Sequence, residues 1–294
     1  MPAHYSLLTT HYSLLMQPVR IPDTLPLFPV LDDLLLQVLR SLSPADWQRP
    51  TLAPGWTVHA VALHLLDGSL RSLSMLRDGH FAGQGPASGD YADVVTYLNA
   101  LNNSWVAAGQ RLSPAVLLEL LAAVGPQYND FLTSLDPAAP AAFAVAWAGE
   151  SESTNHFHIA REYTEKWHHQ QQIRQAVGQE GPLLEPALYA PFLATCAQAL
   201  PHHYRAVAAA PGTVVQVQLT GPAPATWFLV CTPAGWELGQ HNPGAIAASI
   251  ELDGAVAWRL FTKSLPRPEA ARHLRLHGPA ALTEPIYSLL TVMA

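Results

Sequence analysis

The feature that most constrains this chain is a change in the period of its apolar residues. Leu27, Val30, Leu31, Leu34, Leu35, Val38 and Leu42 recur at the i, i+3, i+4, i+7 spacing that marks one face of a helix. Pro54-Gly55-Trp56 breaks the chain, and Thr57 can cap a second helix from Val58 to about Leu76, closed by Gly79, Gly83 and Gly85. A third helix is expected from Asp90 to Leu112. Ser113-Pro114, a cap followed by a proline in the first helical position, starts a fourth that runs to about Leu135. After the linker Asp136–Pro140, a fifth spans about Thr154 to Val177 and ends at Gly178. Amphipathic helices with short connections form a bundle. One more helix follows Pro186 and ends near Ala210. From Thr213 to Leu219 the period drops to two. Thr226–Thr232 and Ala245–Leu252 are also strand-like, with Pro and Gly turns between them. Ala255–Thr262, Glu269–Arg275 and Pro279–Met293 read as helices. The expected architecture is therefore α followed by α+β: a helical bundle over residues 21–182, then a smaller α+β domain over 183–294, with the boundary at Gly181-Pro182.

The first 20 residues fit neither part. His4-Tyr-Ser-Leu-Leu8 recurs as His11-Tyr-Ser-Leu-Leu15. No basic region or cleavage site makes this a secretory signal, and the unit is too short for a solenoid repeat. It reads as a duplicated leader, poorly ordered and without a role, and Met16 is as good a start as Met1.

Composition excludes several function classes. Hydrophobic residues make up 49% of 294, enough to bury a sizeable core, and charged residues only 13%. Fifteen basic against 22 acidic residues give a net charge of −7, and nothing clusters into the basic stripe that nucleic acid requires. No stretch suits a membrane span. Cys196 and Cys231 are too few for a disulfide framework and are expected as free, buried thiols in a reducing cytosol. The expected location is cytoplasmic and the expected partners are small molecules. Oligomeric state is open.

Polar chemistry concentrates in residues 156–174, which hold His156, His158, Arg161, Glu162, Glu165, Lys166, His168, His169 and Arg174. On a helix Glu165 and His169 share a face. A carboxylate and an imidazole there, with a third ligand from another helix, suit a divalent metal with an open position. Spacing alone does not select them. Composition yields about half a Glu-x-x-x-His pair by chance, and the chain has four: Glu152/His156, Glu165/His169, Glu237/His241 and Glu269/His273. A solvated polar face explains the same run. His64 sits among Val61, Leu63, Leu65 and Leu66, where an imidazole must find a hydrogen-bond partner or a metal; Ala60 and Gly68 leave room one turn away. His59 is expected to be exposed. Arg161 and Arg174 can pair with a substrate carboxylate or serve as surface charges. His202-His203-Tyr204-Arg205 ends a helix, where basic residues are favoured in any case. Trp56 and Trp167 read as packing residues.

Two segments carry a family resemblance. Residues 52–68, Leu-Ala-Pro-Gly-Trp-Thr-Val-His-Ala-Val-Ala-Leu-His-Leu-Leu-Asp-Gly, resemble the second-helix signature of the DinB-like superfamily, in particular its mycothiol-dependent maleylpyruvate isomerase branch. Trp147-Ala-Gly149 and residues 160–173, Ala-Arg-Glu-Tyr-Thr-Glu-Lys-Trp-His-His-Gln-Gln-Gln-Ile, resemble that branch's second signature. The resemblance implies a DinB-like four-helix bundle whose metal ligands fall on His64, Glu165 and His169, with His168 able to substitute for its neighbour. The strand-rich 213–252 region and residues 281–290 are similar to the branch's appended sterol-carrier-like domain. Gln172 stands where such proteins often have Asp, and His59-Ala60 where they often have Arg-Asp. The implied cofactors are a divalent metal, by default Zn²⁺ with Ni²⁺ or Fe²⁺ as alternatives, and a low-molecular-weight thiol as cosubstrate. The implied activity is a thiolate attack, leading either to cis–trans isomerisation or to S-transfer. Arg161, Arg174, Arg205 and His168 are the candidate substrate-binding residues. Two other readings stay open: a non-catalytic stress or binding protein whose C-terminal domain carries an apolar ligand, and a metal-dependent hydrolase with Glu162 as its base.

Overall fold

The computed structural model describes residues 17–83, 85–88 and 90–292. Most of the expected leader, residues 1–16, lies outside them. Two compact units emerge. One comprises Asp23–Ala146 and Ser151–Leu183, the other Trp147–Glu150 and Leu184–Val292 together with residues 17–22.

The first unit is a bundle of α1 (Phe28–Arg40), α2 (Val58–Ser72), α3 (Tyr91–Gly109), α4 (Pro114–Ser134) and α5 (Asn155–Ala176). The side chains of Thr57, Ser113 and Thr154 accept hydrogen bonds from the backbone N–H groups of Ala60, Val116 and Phe157, capping α2, α4 and α5. The sequence extends α2 to Leu76. It stops at Ser72 and continues as a π-helical turn, Leu73–Arg77. Helix α2 is the hub and packs against α3, α4 and α5, while α1 packs against α4 and α5. It is therefore apolar around most of its circumference: Val58, Val61, Leu63, Leu65 and Leu66 are buried, and His64 and Gly68 are only half-buried. Those two residues are four apart and share one stripe of the helix. Helix α3 approaches α2 closely because Gly109 has no side chain. A Cβ there would lie 2.7 Å from Leu63 Cδ2.

The second unit holds a five-stranded sheet of order β3-β2-β1-β4-β5. Its strands are β1 (Val214–Thr220), β2 (Ala225–Thr232), β3 (Gly235–Gly239), β4 (Ile246–Asp253) and β5 (Leu274–His277). β1 and β4 are parallel and the other pairs antiparallel. Helices α6 (Pro186–Ala197), α7 (Leu200–Tyr204), α8 (Gly254–Phe261), α9 (Arg267–Ala270) and α10 (Ala280–Thr283) complete it. Cys196 and Cys231 are buried thiols.

Several expectations are corrected here. The helix after Pro186 is two helices, because Pro201 restarts the backbone one residue into α7. Glu269–Arg275 is not a helix. Four residues of α9 give way to β5, whose Leu274 and Leu276 alternate with Arg275 and His277 and pair with Leu252 and Ile250 of β4. Pro279–Met293 is α10 followed by a 3₁₀ stretch, Glu284–Ser288, with Pro285 near its start. Strand β3 was not foreseen. Residues 17–22 join the sheet-bearing unit: Pro18 bridges Gly239, and Gln240 N–H donates to Gln17 O at 2.8 Å.

Candidate metal centre

Helix α5 has the polar composition of a surface helix, yet it is buried. His158, Thr164, His168, Gln170, Gln171, Gln172 and Arg174 all lie in the interior of the fold. The run is not a solvated face. Several of its polar groups find partners there, as burial favours. Arg174 donates to Leu34 O at 2.8 Å and to Gln179 O at 3.2 Å, and Gln171 to Glu180 O at 3.3 Å. Lys166 is paired with Asp32, whose second oxygen accepts from Asn129 Nδ2 at 2.9 Å. His59 is likewise buried rather than exposed. Its Nε2 lies 3.1 Å from Leu112 O, its Nδ1 lies 3.3 Å from Gln110 Oε1, and its ring packs on Trp47.

The stripe of α2 that carries His64 and Gly68 faces the carboxylate-and-imidazole stripe of α5. His64, Gly68 and Ser69 line one cavity together with Tyr128 of α4 and with Glu162, Glu165, Lys166 and His169 of α5. The His64 and His169 rings are 4.5 Å apart between centroids, and His169 Nε2 lies 3.6 Å from Glu165 Oε2. His169 Nδ1 meets Gln172 Oε1 at 2.9 Å. Because that amide oxygen can only accept, Nδ1 carries the proton, and in a neutral ring Nε2 is left as a lone pair toward the cavity. Gln172 thus does for His169 what a carboxylate would do, without the charge. His168 packs on His169 at 3.9 Å between centroids and donates from Nδ1 to Thr164 O at 2.9 Å. Ligand atoms of Glu165, His168 and His169 all lie within 4.8 Å of one another. His168, however, does not line the cavity, whereas His64 does.

The electrostatics suit a cation. Burial works to raise the Glu165 carboxyl, but the hydrogen bond with His169 and the fields of His168, His169 and Arg161 outweigh it and hold the group at about 2. Burial, with the nearby His169 adding to it, pushes His64 well below its ordinary value and His168 down to about 4. The Glu165 carboxylate is thus ionised, with the lowered imidazoles of His64 and His168 close by. His64 Nδ1 is buried with no hydrogen-bond partner among the described residues. Imidazoles and a carboxylate are donors of the kind that a divalent cation takes. The cavity, about 40 Å³, has room for an ion and a small ligand.

The remaining candidates lie elsewhere or are already engaged. Arg161 Nη2 donates to Glu162 Oε1 and to His158 Nδ1, both at 2.7 Å. Glu162 Oε2 accepts from Tyr128 OH at 2.7 Å. Burial works to raise Glu162, and Arg161, His158 and Tyr128 overcome it, so its carboxyl sits below the usual range. Arg174 does not line the cavity; it closes the far end of α5 through the Leu34 and Gln179 carbonyls. Arg205, in the other unit, donates to His202 O of its own helix at 2.7 Å. Sequence reasoning missed Tyr128, Ser69 and the cavity-facing position of Lys166. Glu162, Glu165 and His169 follow a three-then-four spacing that was visible. Tyr128 had no local signal, because only the fold brings α4 to α5.

Comparison with known proteins gives a family model and two solved structures. Residues 29–174 match the family model described as the mycothiol maleylpyruvate isomerase N-terminal domain. A crystal structure of a histidine-to-alanine mutant of the mycothiol-dependent maleylpyruvate isomerase superposes with a TM-score of 0.52 at 12% identity, covering 89% of this chain and 95% of that one. A second crystal structure of that isomerase gives 0.49 at the same identity and coverage. At such identity the likeness establishes the fold. No curated protein sequence gives a significant match. Over residues 29–174, which include α2 and α5 with the facing stripes of the cavity, the chain is similar to the mycothiol maleylpyruvate isomerase N-terminal domain.

Proposed function

We propose that this protein is a metal-dependent enzyme that uses a low-molecular-weight thiol to isomerise, or to transfer sulfur to, a small electrophilic substrate. The observation that carries this reading is the convergence of His64, Glu165 and His169 on one cavity in a domain similar to that family. We assign those three as the ligands of one divalent cation, by default zinc. Such an ion lowers the pKa of a thiol that ligates it and so supplies a thiolate near neutral pH. The chain's own residues do the rest. Glu165 brings the only full negative charge to the ligand set, and Gln172 holds the His169 lone pair in line. Lys166, paired with Asp32, lines the cavity beside the ligands, where a carboxylate of the substrate meets its charge. Thiolate addition to an activated double bond, rotation and expulsion give the geometric isomer, while attack on a carbon that bears a leaving group, which departs with its bonding pair, gives the transfer product.

A hydrolase would need a base to activate water. Glu162 is the nearest free-standing carboxylate, but both its oxygens are held, by Arg161 and Tyr128. The carrier reading dispenses with the metal altogether. Elemental mass spectrometry on untagged wild type and His64→Ala separates the readings. Near-stoichiometric metal in the wild type and its loss in the variant are expected. Assays with mycothiol and glutathione, using maleylpyruvate for isomerisation and a simple alkylating electrophile for transfer, then follow. Negligible metal in both proteins after zinc is supplied and the excess removed would defeat the proposal.

A further inference from the structure

The two histidines of the centre are oriented by different means. His169 is fixed by its hydrogen bond to Gln172. His64 Nδ1 has no such bond among the described residues, although histidines that ligate metals nearly always have their second nitrogen anchored. Something else must hold the His64 ring, and the structure places an indole there. Trp56 lies 5.0 Å from His64 between ring centroids, tilted by 52°, and 6.5 Å from His169 at 30°. The three rings form one cluster, with Trp56 itself half-buried.

The backbone beneath Trp56 is held from several sides. Its N–H donates to Ala53 O at 3.0 Å, closing a turn through Pro54 and Gly55. Gly55 has φ +79°, a conformation that glycine takes without strain. The Trp56 carbonyl accepts from both Thr51 N at 3.0 Å and Thr51 Oγ1 at 2.9 Å. Val58 N then donates to Arg49 O at 3.0 Å, and Thr57 caps α2. The indole is thus presented from a pinned turn at the start of the helix that carries His64.

We propose that Trp56 is a positioning residue of the metal centre: its indole takes the place of the missing hydrogen bond and fixes the His64 imidazole by ring contact. This rests on the metal reading above. Cobalt(II), whose visible absorption reports the geometry of its ligands, serves as the probe on the full chain, alongside Trp56→Leu and Trp56→Phe. Trp56→Leu is expected to bind cobalt about tenfold more weakly, with a shifted and weaker visible band. Trp56→Phe, which keeps an aromatic face, is expected to stay within about threefold of wild type and to retain the band. Unfolding curves of the metal-free proteins check that each variant is folded at the titration temperature. Trp56→Met replaces the leucine variant if that one is not. A folded leucine or methionine variant with wild-type affinity and spectrum overturns the proposal. So does a phenylalanine variant impaired as much as the leucine one, since the indole would then act by volume alone. If wild type itself takes up no cobalt, the metal reading fails and this inference with it, a result that the variants alone cannot produce.

Discussion

A glutamine one turn beyond His169 is an unusual anchor for an imidazole proposed as a metal ligand, and its chemistry predicts a measurable effect. The Gln172 side chain accepts from Nδ1 at 2.9 Å but brings no charge, so it orients the imidazole without raising its basicity as a carboxylate would. Gln172→Ala should weaken zinc binding about tenfold, the usual consequence of removing such a partner. Gln172→Glu should match or exceed wild type. Competition with a chromophoric chelator measures both, and an alanine variant that binds as tightly as wild type would rule out the orienting role. Residue by residue, the sequence was informative about chemistry and poor about environment. The residues carrying the family resemblance pointed to His64, Glu165 and His169, and those three side chains line one cavity. His59 and Arg174 are buried for reasons that lie far along the chain, at Gln110, Leu112 and Leu34. No local pattern announces a partner more than 50 residues away.

Helix α5 combines a polar sequence with a buried position, so its stability depends on pairing rather than on apolar area. Lys166 and Asp32 illustrate this. Their side chains are 12% and 17% exposed, and Asn129 holds the second Asp32 oxygen. Removing one partner from such a pair strands a charge, at a cost of about 3–5 kcal/mol, whereas removing both is often close to neutral. Lys166→Met should therefore lower the denaturant midpoint substantially, and adding Asp32→Leu should recover most of the loss. Equal midpoints for wild type and the single variant would mean that the pair is effectively solvated. The strands show the converse limit on what a sequence reveals about an element. β1 was legible because seven residues alternate. β5 has only four, and its assignment comes from pairing with β4. β3 is as short as five residues, and its place beside β2 is likewise a tertiary fact.

Taken as a whole, the chain was legible as a helical bundle followed by a sheet-bearing unit, because the switch from period 3.6 to period two is a property of long segments and survives local error. The bundle also concentrates buried imidazoles, and this makes its stability depend on pH with one sign. Burial first, with Arg161 adding and Glu162 opposing, holds His158 at about 4 in the fold, against 6.5 when free. Burial and His169 hold His168 at about 4 as well. Between those values the unfolded chain binds protons that the folded one does not, so stability is complete above pH 6.5 and is lost as the pH falls toward 4. Each such histidine costs about 2 kcal/mol between pH 7 and pH 5. Glu165, held at about 2, extends the same trend below pH 4.5. The metal-free protein should therefore show a midpoint in urea that falls steeply from pH 7 to pH 5. His158→Gln can still accept the Arg161 hydrogen bond but cannot titrate, so it should be less sensitive over that range by about one histidine's share. A pH profile identical in wild type and variant would mean that His158 protonates within the fold. Saturating zinc should steepen the wild-type dependence, since protons then compete with the ion for His64 and His169.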